Sequence, residues 1–232
     1  MIYDTFAKDF AIEYELFLMA LSGIYQSKIT AGVKVSSLAV SEIKRESHNL
    51  ATAFLERSIE RLDNQIKGYV ESASGPIHDD AIESIDARRQ EAVKTLQSAL
   101  SENIIQVLRQ MRRGGTDYSS LTKDEHGGIG YLIQNRVGKI KFVLVDSIGR
   151  KYEAVQFLRS AMRDAMYQIW IDVQIGQIKA SEENTFLAVN QDPEKNVKFS
   201  FTETEGMTTF NQENRKRAFH PNSTMIILRM AN

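Results

Sequence analysis

Imidazoles and carboxylates at tight spacing can hold a metal ion or move a proton, so the four histidines come first: His48, His78, His126 and His220. No two of them stand one helical turn apart, the spacing at which two imidazoles share a ligand. Asp79-Asp80 beside His78 is the nearest approach to an acidic cluster, and it reads more simply as the start of a helix. Ser41-Glu42-Ile43-Lys44 contains a Ser-x-x-Lys string of the kind that supplies a serine nucleophile and a base. It falls on the charged side of a long helical pattern, where chance explains it. Gly127-Gly128-Ile129-Gly130 could wrap a phosphate, but a polar stretch precedes it and no Lys-Ser or Lys-Thr follows. With no Cys in the chain, thiolate chemistry, disulfides and thiolate metal sites are excluded. No set of nucleophile, base and orienting group stands out. The expectation is a non-enzyme with no cofactor, no metal and no small-molecule substrate.

Two basic clusters remain, Arg215-Lys216-Arg217 and Arg109 with Arg112 and Arg113. The second sits where a helix ends, and the helix dipole favours cations there. The first has no capping role, so Arg215, Lys216 and Arg217 are the candidate nucleic-acid contacts. The whole chain does not favour nucleic acid. Its 29 Lys and Arg face 30 Asp and Glu, a net charge of −1, whereas affinity for phosphates grows with the number of them neutralised.

These groups must be positioned by helices over the first half. Phe6, Phe10, Tyr14, Phe17, Leu21 and Ile24 recur at steps of three and four, which predicts a helix over 4–26. Ile12, Leu16, Leu18 and Met19 make it apolar on more than one side. It is either a core helix or a subunit interface, with Phe6, Phe10, Tyr14, Phe17 and Leu21 as the interface residues. A second helix is expected over 38–73, with Ile43, Leu50, Phe54, Leu55, Ile59, Leu62, Ile66 and Val70 on one face and a pair between Asp63 and Lys67 on the other. Ser74-Gly75-Pro76 stops it. A third runs from Asp79 or Asp80 to Arg113, ended by Gly114-Gly115. Two helices of about 30 residues, each roughly 45 Å long, joined by a Gly-Pro turn, predict an antiparallel helical hairpin.

The second half differs in character. A Gly-rich polar connector covers 116–138. Strands are expected at 140–146, 185–189, 197–202 and 224–230. A turn covers 147–150 and a broad-faced helix covers 152–180. Residues 206–223 read as irregular. The fold class is therefore α+β and predominantly α: a helical region over 1–115, the connector, and a small α+β domain over 139–232. Apolar stretches fall short of the roughly 20 residues that span a bilayer, and Met1-Ile2-Tyr3-Asp4 opens no secretory signal. A soluble, cytoplasmically made product with no membrane partner is expected.

One stretch of this second half resembles a known family. Asp146-Ser147-Ile148-Gly149-Arg150 leads into a helix carrying Arg159 and reaching Gly176. A strand at 186–189, a turn at Asp192, and His220-Pro221-Asn222 ahead of the last strand follow in order. This succession, over about residues 130–232, resembles the minor capsid and head-morphogenesis proteins of tailed bacteriophages, the Mu F-like group. Arg159, Asp192, His220, Pro221 and Asn222 are the motif matches. Relatives often carry Cys beside the Asp turn and after the His-Pro-Asn, where they could bind a metal; this chain has none there. The resemblance implies a low-copy structural protein of the virion, assembled in the host cytoplasm, with portal or capsid protein and copies of itself as partners. The alternative is a DNA-binding protein packaged and delivered with the genome.

Overall fold

A computed structural model describes residues 2–30, 37–73, 75–118, 140–146, 148–220 and 223–230, with side chains over 3–27, 40–73, 75–109 and the later segments. Three long helices open the chain: α1 (Ile2–Thr30), α2 (Ser37–Glu71) and α3 (Asp79–Tyr118). A two-stranded hairpin, β1 (Val143–Val145) and β2 (Lys151–Glu153), leads into α4 (Ala154–Ala180). Then come β3 (Thr185–Val189), β4 (Val197–Ser200), β5 (Thr208–Thr209), α5 (Gln212–Ala218) and β6 (Ile226–Arg229). The fold is predominantly α with a small strand-bearing C-terminal part.

The described chain forms two compact units, and neither is continuous in sequence. One takes 1–59 and 94–160, the other 60–93 and 161–232. The partition therefore cuts through α2, α3 and α4, where the sequence pattern predicts a linear succession of domains. The connector expected at 116–138 lies outside the described residues from 119 onward, and α3 runs on through Gly114-Gly115 to Tyr118. Glycine weakens a helix by about 1 kcal/mol per residue and does not by itself end it.

In the first unit α1 is the core helix. Phe10, Tyr14 and Phe17 ring Phe54 of α2, with centroids 6.1, 5.9 and 4.9 Å away. The Tyr14 hydroxyl meets the Asn103 amide of α3, and burial drives the Tyr14 phenol far above its ordinary value even though Asn103 opposes the shift. Phe6, Phe10, Tyr14, Phe17 and Leu21, the residues read as a subunit interface, are all buried by the chain itself. They belong to its own core because α2 and α3 supply the apolar surface that another subunit would otherwise have to bring. Among the described residues, the large apolar side chains that α1 leaves exposed are Ile12, Leu16 and Met19, 58 to 65% accessible.

The inward face of α2 is also rotated from the expected one. Ile43, Ser47, Ala51, Phe54, Ser58, Leu62, Ile66 and Tyr69 are buried, whereas Val70 is exposed and Leu50, Leu55 and Ile59 are half-buried. Small Ser and Ala side chains let neighbouring helices approach, a reason that hydrophobicity alone does not reveal.

In the second unit, Asp63 of α2 and Arg89 of α3 form a two-pronged ion pair of 2.5 and 2.7 Å across the Gly-Pro turn. This pair bridges α2 and α3; Lys67 reaches Glu71 and not Asp63. The sheet order is β5-β4-β3-β6, antiparallel except for the β4–β5 pair. Phe186, Phe199, Phe201, Phe210 and Phe219 cluster on it. The second half of α4 is buried nearly all round. The stretch read as irregular holds β5 and α5; Asn211 caps α5 through the Asn214 amide, a local signal that a charge-rich helix of only seven residues hides.

Candidate functional site

The densest polar arrangement in the described chain lies on α4 of the second unit. Asp164, Gln168, Asp172 and Gly176 follow at four-residue steps, one stripe along the helix. Asp172 is 2% exposed. Its Oδ2 accepts from Arg88 Nε at 2.5 Å and Ser84 Oγ at 3.0 Å, both on α3. Its Oδ1 accepts from Arg215 Nη1 of α5, also at 2.5 Å. Arg215 Nη2 reaches Gln168 Oε1, and the Gln168 amide donates to the Phe219 carbonyl. Tyr167, one residue earlier, donates its hydroxyl to the Met225 carbonyl at 3.0 Å. The C-terminal segment is thus fastened to α4 by three side chains.

Asp164, two turns before Asp172, behaves differently. Burial pushes its carboxyl above the ordinary range, although Arg88, Gln168 and Arg163 all pull the other way. Its Oδ1 finds no hydrogen-bond partner. Between them, the two guanidiniums and Ser84 occupy the Asp172 oxygens and leave little capacity for a substrate. The cluster is a clamp that cross-links α3, α4 and α5. The sequence pattern does not predict it; the one local signal is the four-residue spacing of Asp164, Gln168 and Asp172 along α4.

Arg215, read as a nucleic-acid contact, is spent in this clamp; its side chain is 16% exposed. Lys216 and Arg217 are exposed, and Arg217 pairs with Glu213 at 2.6 Å. Arg109 bonds Glu102; the side chains of Arg112 and Arg113 lie outside the described residues.

Of the motif matches, Arg159 is exposed on the α4 turn that belongs to the first unit. Asp192 caps a single 3-10 turn, accepting from the Glu194 amide, and pairs with Lys195 at 3.2 Å. His220 is exposed, and its carbonyl accepts from the Ser223 amide. Pro221 and Asn222 lie outside the described residues. Among the described residues, Asp192 and His220 of the second unit share no hydrogen bond or ion pair. His48 and the Ser41/Lys44 string lie on the exposed side of α2. The nitrogen Nδ1 of His78 accepts from the Asp80 amide. His126 and Gly127–Gly130 lie outside the described residues. Among the described residues no three His, Asp or Glu side chains gather as a metal site, and no helix is long and apolar enough to cross a membrane.

The described residues of the Asp146–Arg150 turn, by contrast, are joined by several hydrogen bonds. Asp146 N–H donates to the Arg150 carbonyl and Gly149 N–H to the Asp146 carbonyl, both at 3.0 Å. Gly149 takes φ +84°, the left-handed position that closes a hairpin of this length with a bulge. The Asp146 carboxylate accepts from the Ile148 and Arg150 amides and from Arg150 Nε. Desolvation would raise its pKa, but these bonds and the Arg150 charge outweigh it and hold the carboxyl below the ordinary range. Ile148 stands at the tip, 71% exposed.

Compared with protein-family models, with curated proteins and with solved structures, the chain gives no significant match.

Proposed function

We propose that this chain is a structural virion protein of a tailed bacteriophage, of the minor head or head-morphogenesis type. It acts by packing at or near the portal or capsid, in several symmetric copies. The observation that carries this reading is the hairpin at Asp146–Arg150 feeding directly into α4. It is the piece of the pattern resembling the Mu F-like group with the most local hydrogen bonds: the Asp146 carboxylate accepts from the Ile148 and Arg150 amides, and Ile148 is exposed. The later pieces follow in the same order: the strand at 185–189, the Asp192 turn, and His220 ahead of β6. Ile12, Leu16 and Met19 on α1 supply an exposed apolar line suited to packing. The test is co-assembly. Purified chain mixed with its portal and capsid proteins should elute with one of them as a complex of defined mass; a chain that stays monomeric beside both overturns the reading. The genome-binding alternative is not favoured, because Arg215, the first residue of its basic run, is turned inward.

A further inference from the structure

We propose that the outer edge of β2 is a self-complementary surface that pairs with β2 of a second copy about a two-fold axis. The hydrogen-bond phase of the hairpin fixes which groups point outward. Asp146 N–H donates to Arg150 O, and Ala154 N–H donates to Phe142 O. Those two pairs are hydrogen-bonded positions, and Leu144–Tyr152 is the one between them, because such positions alternate in an antiparallel ladder. Lys151 and Glu153 therefore turn their main-chain N–H and C=O away from β1. Val143 shows the same phase on the opposite strand: its outward N–H and C=O are both taken by the side-chain amide of Gln106. The β1 edge is sealed there by α3. Among the described residues nothing covers the β2 edge in this way: Lys151 and Glu153 are exposed and bond to nothing outside the ladder.

A second β2 laid antiparallel with Tyr152 opposite Tyr152 satisfies that edge. Lys151 then faces Glu153 of the copy in a hydrogen-bonded position, and Glu153 faces Lys151. Both outward main-chain pairs are used, and both charges meet an opposite one. Registers that set Lys151 against Lys151, or Glu153 against Glu153, place like charges face to face, so only the register centred on Tyr152 is favoured. The result is one continuous four-stranded sheet. Three residues bury far less than the roughly 800 Å² per partner of a stable dimer, so the free chain should associate with a Kd on the order of 0.1–1 mM. Copies held side by side in any assembly would pair at that edge far more fully. The proposal does not depend on what that assembly is.

The absence of Cys from the chain makes the test direct. Opposed Tyr152 residues occupy a non-hydrogen-bonded position, with Cα atoms roughly 4.5 Å apart, within disulfide reach. Under mild oxidation Tyr152→Cys should form a covalent dimer at least 10-fold faster than Val145→Cys, an exposed site on the far strand of the same hairpin. Adding Lys151→Glu or Glu153→Lys should slow it about 10-fold, and the two reversals together should restore it. Because Tyr152 packs near Phe157, sedimentation of the unaltered chain and of the same charge variants gives an independent reading: a concentration-dependent dimer, lost in either reversal and recovered in both. Equal cross-linking at 145 and 152, a chain monomeric up to millimolar concentration, or a dimer indifferent to charge reversal would each overturn the proposal.

Discussion

The side-chain amide of Gln106 stands in for a β-strand against Val143: its Oε1 accepts the Val143 N–H at 3.1 Å and its Nε2 donates to the Val143 carbonyl. An isolated two-stranded hairpin is marginal in water, and this contact ties it to α3. Gln106→Leu removes both bonds and strands two partly buried main-chain groups, a cost of about 1–3 kcal/mol. Hydrogen exchange at the Val143 amide should speed up roughly 10-fold or more, while the Tyr14 neighbourhood keeps its protection. Unchanged exchange at Val143 would mean that the hairpin holds itself.

Asp172 should dominate the stability of the second unit. Asp172→Ala leaves the Arg88 and Arg215 guanidiniums facing a nearly dry site with no anion, and breaking such a pair costs about 3–5 kcal/mol. The lower end applies, because the Arg88 side chain keeps 32% exposure. Arg215→Ala should cost less, since Arg88 and Ser84 still satisfy one Asp172 oxygen. Urea melts of the two variants should separate them in that order; equal midpoints would show that the cluster is incidental.

The opposite sign is expected at Asp164. Its carboxyl is raised in the folded chain, chiefly by burial, so the folded state binds that proton more tightly than the unfolded state does. The group is least costly below its ordinary pKa of 3.8. It becomes a burden as pH climbs from there through its folded value. Asp164→Asn should therefore stabilise the chain near neutrality and flatten its stability profile above pH 4, with little effect at pH 3. Unfolding midpoints measured across that range decide it, and a variant weaker than the parent at pH 7 would refute the assignment.

The helices were legible because long amphipathic repeats carry their own signal: α1, α2 and α3 begin and end within a few residues of their expected places. What sequence could not assign was which face meets which neighbour. The aromatic ridge of α1 fits a core helix and a subunit interface equally in its pattern, because nothing local says that Phe54 and Asn103, far along the chain, come to meet it. Ser47 and Ser58 point inward, but a hydrophobicity count ranks Leu50, Leu55 and Val70 above such small residues, which permit close packing. The clamp at Asp172 was invisible for a related reason. Its partners Ser84, Arg88 and Arg215 come from two other helices, and Arg215 sat inside a basic run that had a simpler reading. The Asp146–Arg150 turn was found because turn chemistry is local.

Gly176 marks the closest approach of α4 to the turn before α3. A Cβ there would stand 2.5 Å from Ile77 Cγ2 and 2.6 Å from Ala81 Cβ, and the Gly176 carbonyl accepts from the His78 amide. In an open helix, alanine would improve on glycine by about 1 kcal/mol. Here the overlap should reverse the sign, with Gly176→Ala costing about 1–3 kcal/mol. Adding Ile77→Ala clears one of the two clashes and should recover part of the loss. A Gly176→Ala variant more stable than the parent in thermal or urea unfolding would contradict the close contact.

The basic run at 215–217 yields a final contrast between stability and binding. Arg215 neutralises Asp172 inside the fold, so Arg215→Ala should lower the unfolding midpoint while Lys216→Ala and Arg217→Ala leave it nearly unchanged. If this run met DNA, only Lys216 and Arg217 could reach phosphate, and Arg217 would first have to leave Glu213. Two neutralised phosphates give a log–log salt slope of about −2, far from the steep dependence of proteins that make six to ten such contacts. Duplex binding followed by fluorescence anisotropy should therefore be weaker than about 0.1 mM at physiological salt. A slope steeper than about −4, or micromolar binding abolished by Lys216→Ala with Arg217→Ala, would place a genuine nucleic-acid surface on α5 and overturn the expectation of weak binding.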